Sequence, residues 1–292
     1  AHIMRIASLF EQKKTVLSFE VFPPKKTSPI ETIYKTLEEL KGLHPDFISV
    51  TYGAGGNAGD TITSDIAAVI KDNCGIEPLV HLTCLNDTRE EIERVLDRLE
   101  RIGIENILAL RGDINPNVEP RNQFKYASEL VAFIKARGGF HISGACYPEG
   151  HINSVSLNED IINLKKKVEA GAEHLISQLF FDNNFFFSFL DRAREQGITV
   201  PIEAGIMPIT NKAQIERMVT LCGASLPSKF TKMMQRFENS SEALRDAGIA
   251  YAVDQIVDLI SQGVDGIHLY TMNNPYIARR ISESISGLIN AT

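Results

Sequence analysis

Arg111, Gly112 and Asp113 place a cation, a glycine and an acid directly after an apolar segment, residues 106–110. That segment is typical of a parallel strand that is buried on both faces. Glycine lets the backbone approach a ligand closely, and the flanking charges can then act on the ligand. Because active sites of parallel sheets lie at such strand ends, the junction is a candidate site. The alternative is that Arg111 and Asp113 are an ordinary charged pair in a solvated loop. Polar residues at the ends of the other strands would favour a functional site over this alternative.

Glu20 ends the first predicted strand in the same way, and Phe22, Pro23 and Pro24 follow it. Burial among such residues would raise the pKa of the carboxyl group and make it a proton donor near neutral pH. The alternative is an ordinary acid in a salt bridge with Lys25. Glu20 is therefore a second candidate at the same end of the sheet.

The second predicted strand is followed by Thr51, Tyr52 and a glycine-rich segment, residues 53–58, that matches G-x-G-x-x-A. A match between a strand and a helix is the main argument for a non-catalytic dinucleotide-binding module. However, the preceding strand is the second in the chain, and polar residues end nearly all the others. A flexible glycine loop over a flat ligand fits equally well.

Ser156 and Glu159 form a capping box that predicts the start of a helix. The early turns of this helix carry Asp160, Asn163, Lys166 and Lys167. A helix start with two lysines could bind a diphosphate, whereas a solvated run of charges is the alternative.

Two further strands carry polar side chains. His81 lies in the third predicted strand, where a lone histidine is usually a core residue. Gln178 ends the sixth, and its amide can both donate to and accept from a planar heterocycle. The phenylalanines that follow, at 180–181 and 185–187, are predicted to pack in the core.

A recurring pattern predicts the fold: a helical segment ends at a glycine, and a β-rich apolar segment follows. Glycine supplies the left-handed helix cap that this connection needs. The glycines are Gly42, Gly75, Gly103, Gly139, Gly171, Gly197 and Gly263. With an opening strand at 16–21, they give eight strands, the seventh beginning at 200–202. Alternating strands and helices predict a single (β/α)8 TIM barrel. Extra helices at 204–263, including a long one at 241–262, precede the eighth strand, and a helix at 276–288 closes the ring.

Composition narrows the class of protein. The 292 residues carry a net charge of −7 with 23% charged residues, so no basic surface for nucleic acid is expected. We expect no membrane span and a cytoplasmic protein. The cysteines, Cys74, Cys84, Cys146 and Cys222, show no C-x-x-C spacing and are expected to be reduced, mostly buried thiols. No histidine cluster predicts a metal. Residues 1–3 resemble a cloning remnant, which leaves 4–292 as one catalytic domain.

Taken together, the strand-end motifs resemble the methylenetetrahydrofolate reductase family. The similarity rests on the segments at 19–25, 81–84, 110–113, 147–151 and 178–182, and it continues through 205–209 and 268–271. It covers nearly the whole predicted barrel. The chain is similar to the compact bacterial form, without the regulatory domain of animal relatives.

The resemblance implies an enzyme in which FAD takes a hydride from NADH or NADPH and passes it to the methylene carbon of the folate, the two substrates using one site in turn. The product, methyltetrahydrofolate, feeds methionine synthesis. Glu20 corresponds to the general acid that opens the folate ring to an iminium cation, and Asp113 to an acid beside flavin and folate. A homo-oligomer is expected, and a second subunit is compatible with the sequence.

The resemblance also implies a set of ligand contacts. The flavin contacts are Tyr52, Ala54, His81, Arg111, Gly112, Asp113, Tyr126, Ala127, Tyr147, His151, Asp160, Asn163, Lys166 and Lys167. Thr51, Gln178 and Gln214 correspond to contacts of the nicotinamide or folate. Two positions depart from the family pattern: Met218 replaces an expected phenylalanine, and Asn274 lies where an arginine usually contacts the folate. Both departures affect substrate recognition and leave the flavin contacts unchanged.

Other barrel enzymes fit less well. A Schiff-base aldolase needs a lysine in a strand, and none of the predicted strands contains one. A metallohydrolase needs histidines clustered at one strand end. The non-catalytic dinucleotide-binding module built on residues 53–58 remains the alternative from a different class.

Overall fold

The computed structural model of the protein describes residues 5–25, 27–52 and 61–292. Its strands close into one barrel in which each strand pairs in parallel with the next in the chain, and the last pairs with the first. The strands are β1 (Val16–Val21), β2 (Phe47–Val50), β3 (Glu77–Thr83), β4 (Asn106–Leu110), β5 (His141–Cys146), β6 (His174–Ser177), β7 (Ile202–Ile206) and β8 (Gly266–Tyr270). The predicted (β/α)8 barrel is confirmed.

Helices alternate with the strands and form the outer layer. They are α1 (Ile6–Gln12), α2 (Glu31–Lys41), α3 (Ile62–Asp72), α4 (Arg89–Arg101), α5 (Ala127–Arg137), α6 (Leu157–Ala170), α7 (Asn183–Glu195), α8 (Lys212–Cys222), α9 (Ser228–Phe237), α10 (Ser241–Ser261) and α11 (Pro275–Ala291). The additional helices between β7 and β8 are confirmed as α8, α9 and α10. Among the described helices, none is both long enough and apolar enough to cross a membrane.

The seventh strand was predicted too early, and the helical segment was wrongly started at residue 204. The strand is Ile202–Ile206, and the next helix begins at Lys212. Glu203 and Gly205 have low β-propensity, so the sequence from 202 to 206 did not resemble a strand. Tertiary contacts explain both residues: Glu203 is fully buried in the barrel, and a Cβ on Gly205 would lie 2.2 Å from the carbonyl oxygen of Ser177.

The predicted glycine caps are confirmed at most positions. Gly75, for example, has φ +66° and Gly103 has φ +83°. Gly42 is an exception because its φ is −64°, in the right-handed helical region. His44 instead takes the positive φ, at 55°, in the connection to β2.

Helix α1 closes the N-terminal end of the barrel, a feature that the sequence did not reveal. Ile6 and Leu9 pack in one buried cluster with Val16, Phe47 and other side chains from the lower ends of the strands. The backbone N–H of Ile6 donates to Asn106 Oδ1 at 3.0 Å. Ligands are therefore expected at the opposite, carboxyl end of the strands.

Of the phenylalanines predicted to pack in the core, Phe180, Phe181 and Phe186 do so, and Phe187 packs against the core while partly buried. The prediction is wrong for Phe185, which is 39% exposed. Phe180 stacks on Phe186 with ring centroids 5.0 Å apart, and Phe181 stacks on Phe230 at 4.9 Å. Offset aromatic pairs of this kind add to the stabilisation from buried area. They fix the outer wall of the barrel mouth next to Gln178.

Two helical glycines provide a matched test of packing. An added Cβ on Gly248 in α10 would lie 1.8 Å from the carbonyl oxygen of Ile209, whereas one on exposed Gly287 in α11 would meet nothing within 4 Å. We predict that Gly248→Ala lowers the free energy of unfolding by about 2–3 kcal/mol through overpacking. Gly287→Ala should raise it by roughly 0.5–1 kcal/mol through helix propensity. Urea unfolding measures both, and a Gly248→Ala variant as stable as wild type would contradict the packing of α10.

Candidate active site

Glu20 lies where three strands bring polar side chains together at the barrel mouth. Its Oε1 accepts a hydrogen bond from Ser49 Oγ at 3.1 Å. His81 Nε2 lies 3.2 Å from the same oxygen and His268 Nε2 lies 3.4 Å from it. The register of β1 with β2 and β8 pairs Glu20 with Ser49 and Tyr270. The Glu20 side chain is 18% exposed, and its carboxyl group faces the mouth.

The electrostatic environment of Glu20 is opposite to the one predicted from sequence. Burial alone would raise its pKa, but the charge of His81 and the contacts from His268 outweigh burial and hold the pKa well below its usual range. Phe22, expected to help bury the acid, is 37% exposed. The predicted raised pKa is therefore wrong. The acid lies in an ionic cluster, although its described partners are histidines rather than Lys25.

A cavity of about 500 Å³ opens at the carboxyl end of β4 and β5, against the first turns of α5 and α6. It brings together most of the residues that the resemblance assigned to the flavin. Those lining it are Arg111, Tyr126, Ala127, Tyr147, His151, Asp160, Asn163, Lys166 and Lys167. Its volume is within the range of pockets that hold a small ligand or cofactor.

The start of α6 has the geometry that the capping box predicted. Ser156 Oγ accepts from the backbone N–H of Glu159 at 3.1 Å, and Ser154 Oγ donates to Asp160 Oδ1 at 2.9 Å. Lys167 Nζ donates to the carbonyl oxygen of Ala145 at 2.8 Å, and burial lowers its pKa. Lys166 is exposed at the rim. Lys166 and Lys167 were predicted on the early turns of this helix, but α6 runs from Leu157 to Ala170 and Lys167 lies in its last turn. The first turn carries Glu159 and Asp160 instead, so any anion at this wall would be attracted by the lysine charges rather than by the helix N-terminus.

The junction after β4 is built around Gly112. Its φ is +83°, and an added Cβ would lie only 3.0 Å from Thr83 Cβ, so the position needs glycine on two grounds. Arg111 Nε donates to the carbonyl oxygen of Gly112 at 3.1 Å. Asp113 is exposed at the mouth and does not line the cavity. It is still close enough to raise the pKa of Tyr147, although burial is the larger cause of that shift.

The residues after β2 are only partly described. Thr51 is half-buried, its backbone N–H donates to the carbonyl oxygen of Val21 at 3.1 Å, and its own carbonyl accepts from Thr63 Oγ1 at 3.0 Å. Tyr52 is half-buried against the core under β3 and β4. Ala54 and the glycine-rich segment 53–58 lie outside the described residues.

Gln178 and Gln214, the predicted substrate contacts, have different surroundings. Gln178 is half-buried at the mouth, where its side chain hydrogen-bonds to Cys222 and so lowers the pKa of that thiol against the larger, raising effect of burial. Gln214 Oε1 instead accepts from the backbone N–H of Thr210 at 2.8 Å. Its carbonyl therefore stabilises the entry to α8, while Gln178 is better placed for a ligand.

The two departures from the family pattern have structural functions here. Met218 is buried against Phe181 and neighbouring apolar side chains, rather than standing free at the mouth. Asn274 caps α11, accepting from the backbone N–H of Ile277 at 3.2 Å. The adjacent Asn273 bonds both backbone groups of Phe22, at 3.0 and 2.9 Å, and so fixes the segment that follows Glu20.

Sequence analysis missed a set of polar residues inside the barrel. Ser18, His174, Glu203 and His268 are all fully buried. A usable signal was present, because Ser18 and Glu20 alternate with apolar residues along β1. Such alternation places polar groups on the inner face of a strand.

Comparisons with known proteins agree with this architecture. The sequence model of the family described as methylenetetrahydrofolate reductase matches residues 5–286. A 5,10-methylenetetrahydrofolate reductase from Buchnera aphidicola is 38% identical over 98% of this chain and 95% of its own length. The corresponding Pectobacterium carotovorum protein is 36% identical over 94% and 91%. Methylenetetrahydrofolate reductase (NADH) 1 from Arabidopsis thaliana is 35% identical over 92% of this chain and 48% of its own length.

A solved structure shares the fold at low identity. It is an uncharacterized protein from Clostridium thermocellum that binds two copies of 5-methyl-5,6,7,8-tetrahydrofolic acid. The TM-score is 0.67 at 15% identity, over 99% of this chain and all of that one.

The lowered pKa of Glu20 predicts a pH-dependent stability. A carboxylate with a depressed folded-state pKa stabilises the protein fully above the unfolded pKa, about 4.3, and this effect is lost progressively as the pH falls from that value toward the folded pKa. We predict that wild type is more stable than Glu20→Gln at about pH 5.5 and that this difference shrinks toward about pH 3. Urea unfolding at several pH values measures the difference. A difference that stays constant or grows on acidification would contradict the ionic cluster.

Proposed function

Because the chain belongs to the methylenetetrahydrofolate reductase family and is an oxidoreductase of that kind, we propose that it reduces methylenetetrahydrofolate to methyltetrahydrofolate with a reduced nicotinamide, through bound FAD. The observation that carries the proposal is an acid, Glu20, in an ionic cluster at the mouth of a barrel. The neighbouring cavity is lined by three cationic side chains, Arg111, Lys166 and Lys167, and by two acidic ones, Glu159 and Asp160. The Arabidopsis relative, an NADH enzyme by name, supports a nicotinamide co-substrate. The folate-binding structural neighbour supports the substrate class.

The cavity residues fit FAD. Arg111, Lys166 and Lys167 provide positive charge for a diphosphate. Tyr147 lies edge-on to His151 with ring centroids 4.7 Å apart, giving the cavity a rigid wall. When bound, FAD would accept a hydride from the nicotinamide and later supply one to the folate. Because both substrates need the same face, we propose that they occupy one site in turn.

Glu20 would protonate the folate nitrogen that leaves the methylene carbon, which opens the five-membered ring to an iminium cation. The histidine contacts hold the pKa of this carboxyl group well below its usual range, so it must gain a proton before this step. A bound folate that excludes water would favour the neutral acid, because desolvation disfavours charge. Asp113, exposed at the mouth, would stabilise the cation that forms. Thr51 and Gln178 are proposed to orient the substrates.

We also propose a cellular compartment, a metabolic use for the product and an assembly for this protein. Cys74, Cys84, Cys146 and Cys222 are all free thiols, which supports a reducing compartment, the cytoplasm. Methyltetrahydrofolate would serve methionine synthesis. Residues 4–292 would act as one catalytic domain. We also propose a homo-oligomer, as the family resemblance implies.

The competing hypothesis is a non-catalytic dinucleotide-binding module built on residues 53–58. It assigns no role to Glu20 or to its histidine partners. Substitution of Glu20 therefore discriminates between the two functions.

Adjacent lysines on α6 test the proposed flavin site. Lys166 lines the cavity, whereas Lys165 does not, so the two alanine variants remove the same charge in different places. We predict that Lys166→Ala weakens FAD binding about five- to tenfold, as expected for loss of one charge-assisted contact. Lys165→Ala should bind FAD as wild type does. Fluorescence titration of the apoprotein with FAD measures both, and equal affinities for the two variants would argue against this cavity.

Glu20→Gln tests the proposed chemistry. We predict that the variant still oxidises NADH when an artificial electron acceptor is supplied but loses folate reduction by at least about a hundredfold, because an amide cannot donate the required proton. Glu119→Gln, on the exposed loop after β4, is the control for loss of one carboxylate. Anaerobic stopped-flow absorbance separates the two half-reactions. Unimpaired folate reduction by Glu20→Gln would remove Glu20 from the mechanism.

A further inference from the structure

A chain of hydrogen-bonding side chains runs through the barrel interior and ends at Glu20. Ser18 Oγ lies 3.2 Å from both carboxyl oxygens of Glu203. The same hydroxyl lies 2.7 Å from His268 Nδ1. The other ring nitrogen of His268, Nε2, lies 3.4 Å from Glu20 Oε1. The side chains of Glu203, Ser18, His268 and Glu20 therefore form a continuous path, carried by β7, β1 and β8.

The two acids at the ends of this path are in opposite protonation states. Glu203 is fully buried, and burial raises its pKa to about 8, against a smaller lowering by His268. The charges of Asp46 and Asp265 at the barrel base act in the raising direction. His174, which contacts Glu203 at 3.2 Å from β6, has its pKa lowered to about 3, first by burial. Glu203 is therefore protonated at neutral pH.

Glu20 faces a different set of groups. His81 and His268 approach it from β3 and β8, and their combined effect outweighs burial, so the carboxyl group is ionised. Tyr270, the next titratable neighbour, has its pKa raised by burial and then by the charge of Glu20. A proton is thus held at Glu203, one serine and one histidine away from the acid that needs it.

We propose that Glu203 is a proton store that reprotonates Glu20 through Ser18 and His268. This inference rests on the proposed function, in which Glu20 gives up a proton in every turnover. Glu203, Ser18 and His268 act here through Glu20 as positioning residues and do not contact the substrate.

The transfer balances. The Glu203 O–H bond breaks as its proton passes to Ser18 Oγ, and the serine hydroxyl proton passes to His268 Nδ1. The Nε2–H bond of His268 breaks, and that proton forms the O–H bond of Glu20. Glu203 becomes a carboxylate, Glu20 becomes a neutral acid, and His268 changes tautomer without changing charge. No electrons are transferred and no co-reactant is required.

A proton stored on Glu203 would supply the proton that the reaction consumes. Reduction of methylenetetrahydrofolate by NADH takes up one proton from solution in addition to the hydride. Ligands over the mouth would separate Glu20 from water, whereas the interior path lies beneath it. When product leaves, Glu20, with 18% of its side chain exposed, can collect a proton from solvent and return it along the same path.

The test is the pH dependence of a single turnover. Enzyme reduced anaerobically with NADH is mixed with excess methylenetetrahydrofolate, and reoxidation is followed by absorbance. Wild type should keep a constant rate up to about pH 8 and lose about tenfold per pH unit above it. Glu203→Gln should already lose about tenfold per unit throughout the range below about pH 8, because Glu20, whose pKa is held well below its usual range, must then be protonated directly from solvent. A purely structural role would lower the rate by the same factor at every pH, and that result would overturn the proposal.

Two buried serines supply a matched control. Ser18 and Ser143 both bond a histidine Nδ1, at 2.7 and 2.8 Å, but Ser143 contacts His174 and is off the path. Ser18→Ala should reproduce the pH profile of Glu203→Gln, and Ser18→Thr, which keeps the hydroxyl, should restore it. Ser143→Ala should keep the wild-type profile. Equal profiles for the two alanine variants would overturn the path.

A readout without folate separates the two hypotheses. Infrared difference spectra of the wild-type holoenzyme should show a protonated carboxyl band that disappears with a midpoint at about pH 8. Glu203→Gln should lack that band, and its presence in the variant would overturn the store. Failure of wild type to reduce any folate would overturn the proposed function itself. Folate reduction with coincident profiles for wild type and Glu203→Gln would overturn the store alone.

Discussion

The contact between the Glu20 carboxylate and the imidazoles of His81 and His268 is the interaction on which the site depends. It holds the acid in its ionised form against the effect of burial. It exists only because the barrel closes, since β8 must return to β1 to bring His268 beside an acid 248 residues earlier in the chain. A buried charge that loses its partner is strongly destabilising, so chemistry and fold are coupled at this point.

The rest of the barrel isolates that cluster from its surroundings. Helix α1 seals the lower end with apolar side chains, and the helices outside the strands bury a separate apolar layer. Polar residues inside the barrel are acceptable because they bond one another: Ser18, His174, Glu203 and His268 form one network. Gly266 leaves the space for it, since an added Cβ would lie 2.8 Å from Glu203 Oε1. The interior is thus a specific polar core beneath an open mouth that holds both acidic and basic side chains.

Local sequence patterns predicted much of this architecture but not its electrostatics. The bounds of β1 and β4 agree with prediction, and α10 ends one residue before its predicted end, because hydrophobic periodicity and terminal glycines are local signals. Most predicted flavin contacts do line one cavity, although whether they bind FAD stays a prediction. The sign of the Glu20 pKa shift could not be predicted, because its partners are distant in sequence. The position of β7 was predicted wrongly because Glu203 and Gly205 are favourable in a strand only through contacts that exist once the barrel is closed.

We propose that this barrel transfers electrons from a nicotinamide to a folate through a flavin. One anaerobic experiment tests it: the visible spectrum of the purified protein, supplied with FAD, recorded after NADH and then after methylenetetrahydrofolate. The flavin bands should bleach with NADH and return with the folate. Bands that bleach but do not return would contradict the folate half of the claim, and a protein that binds no FAD would contradict the whole of it.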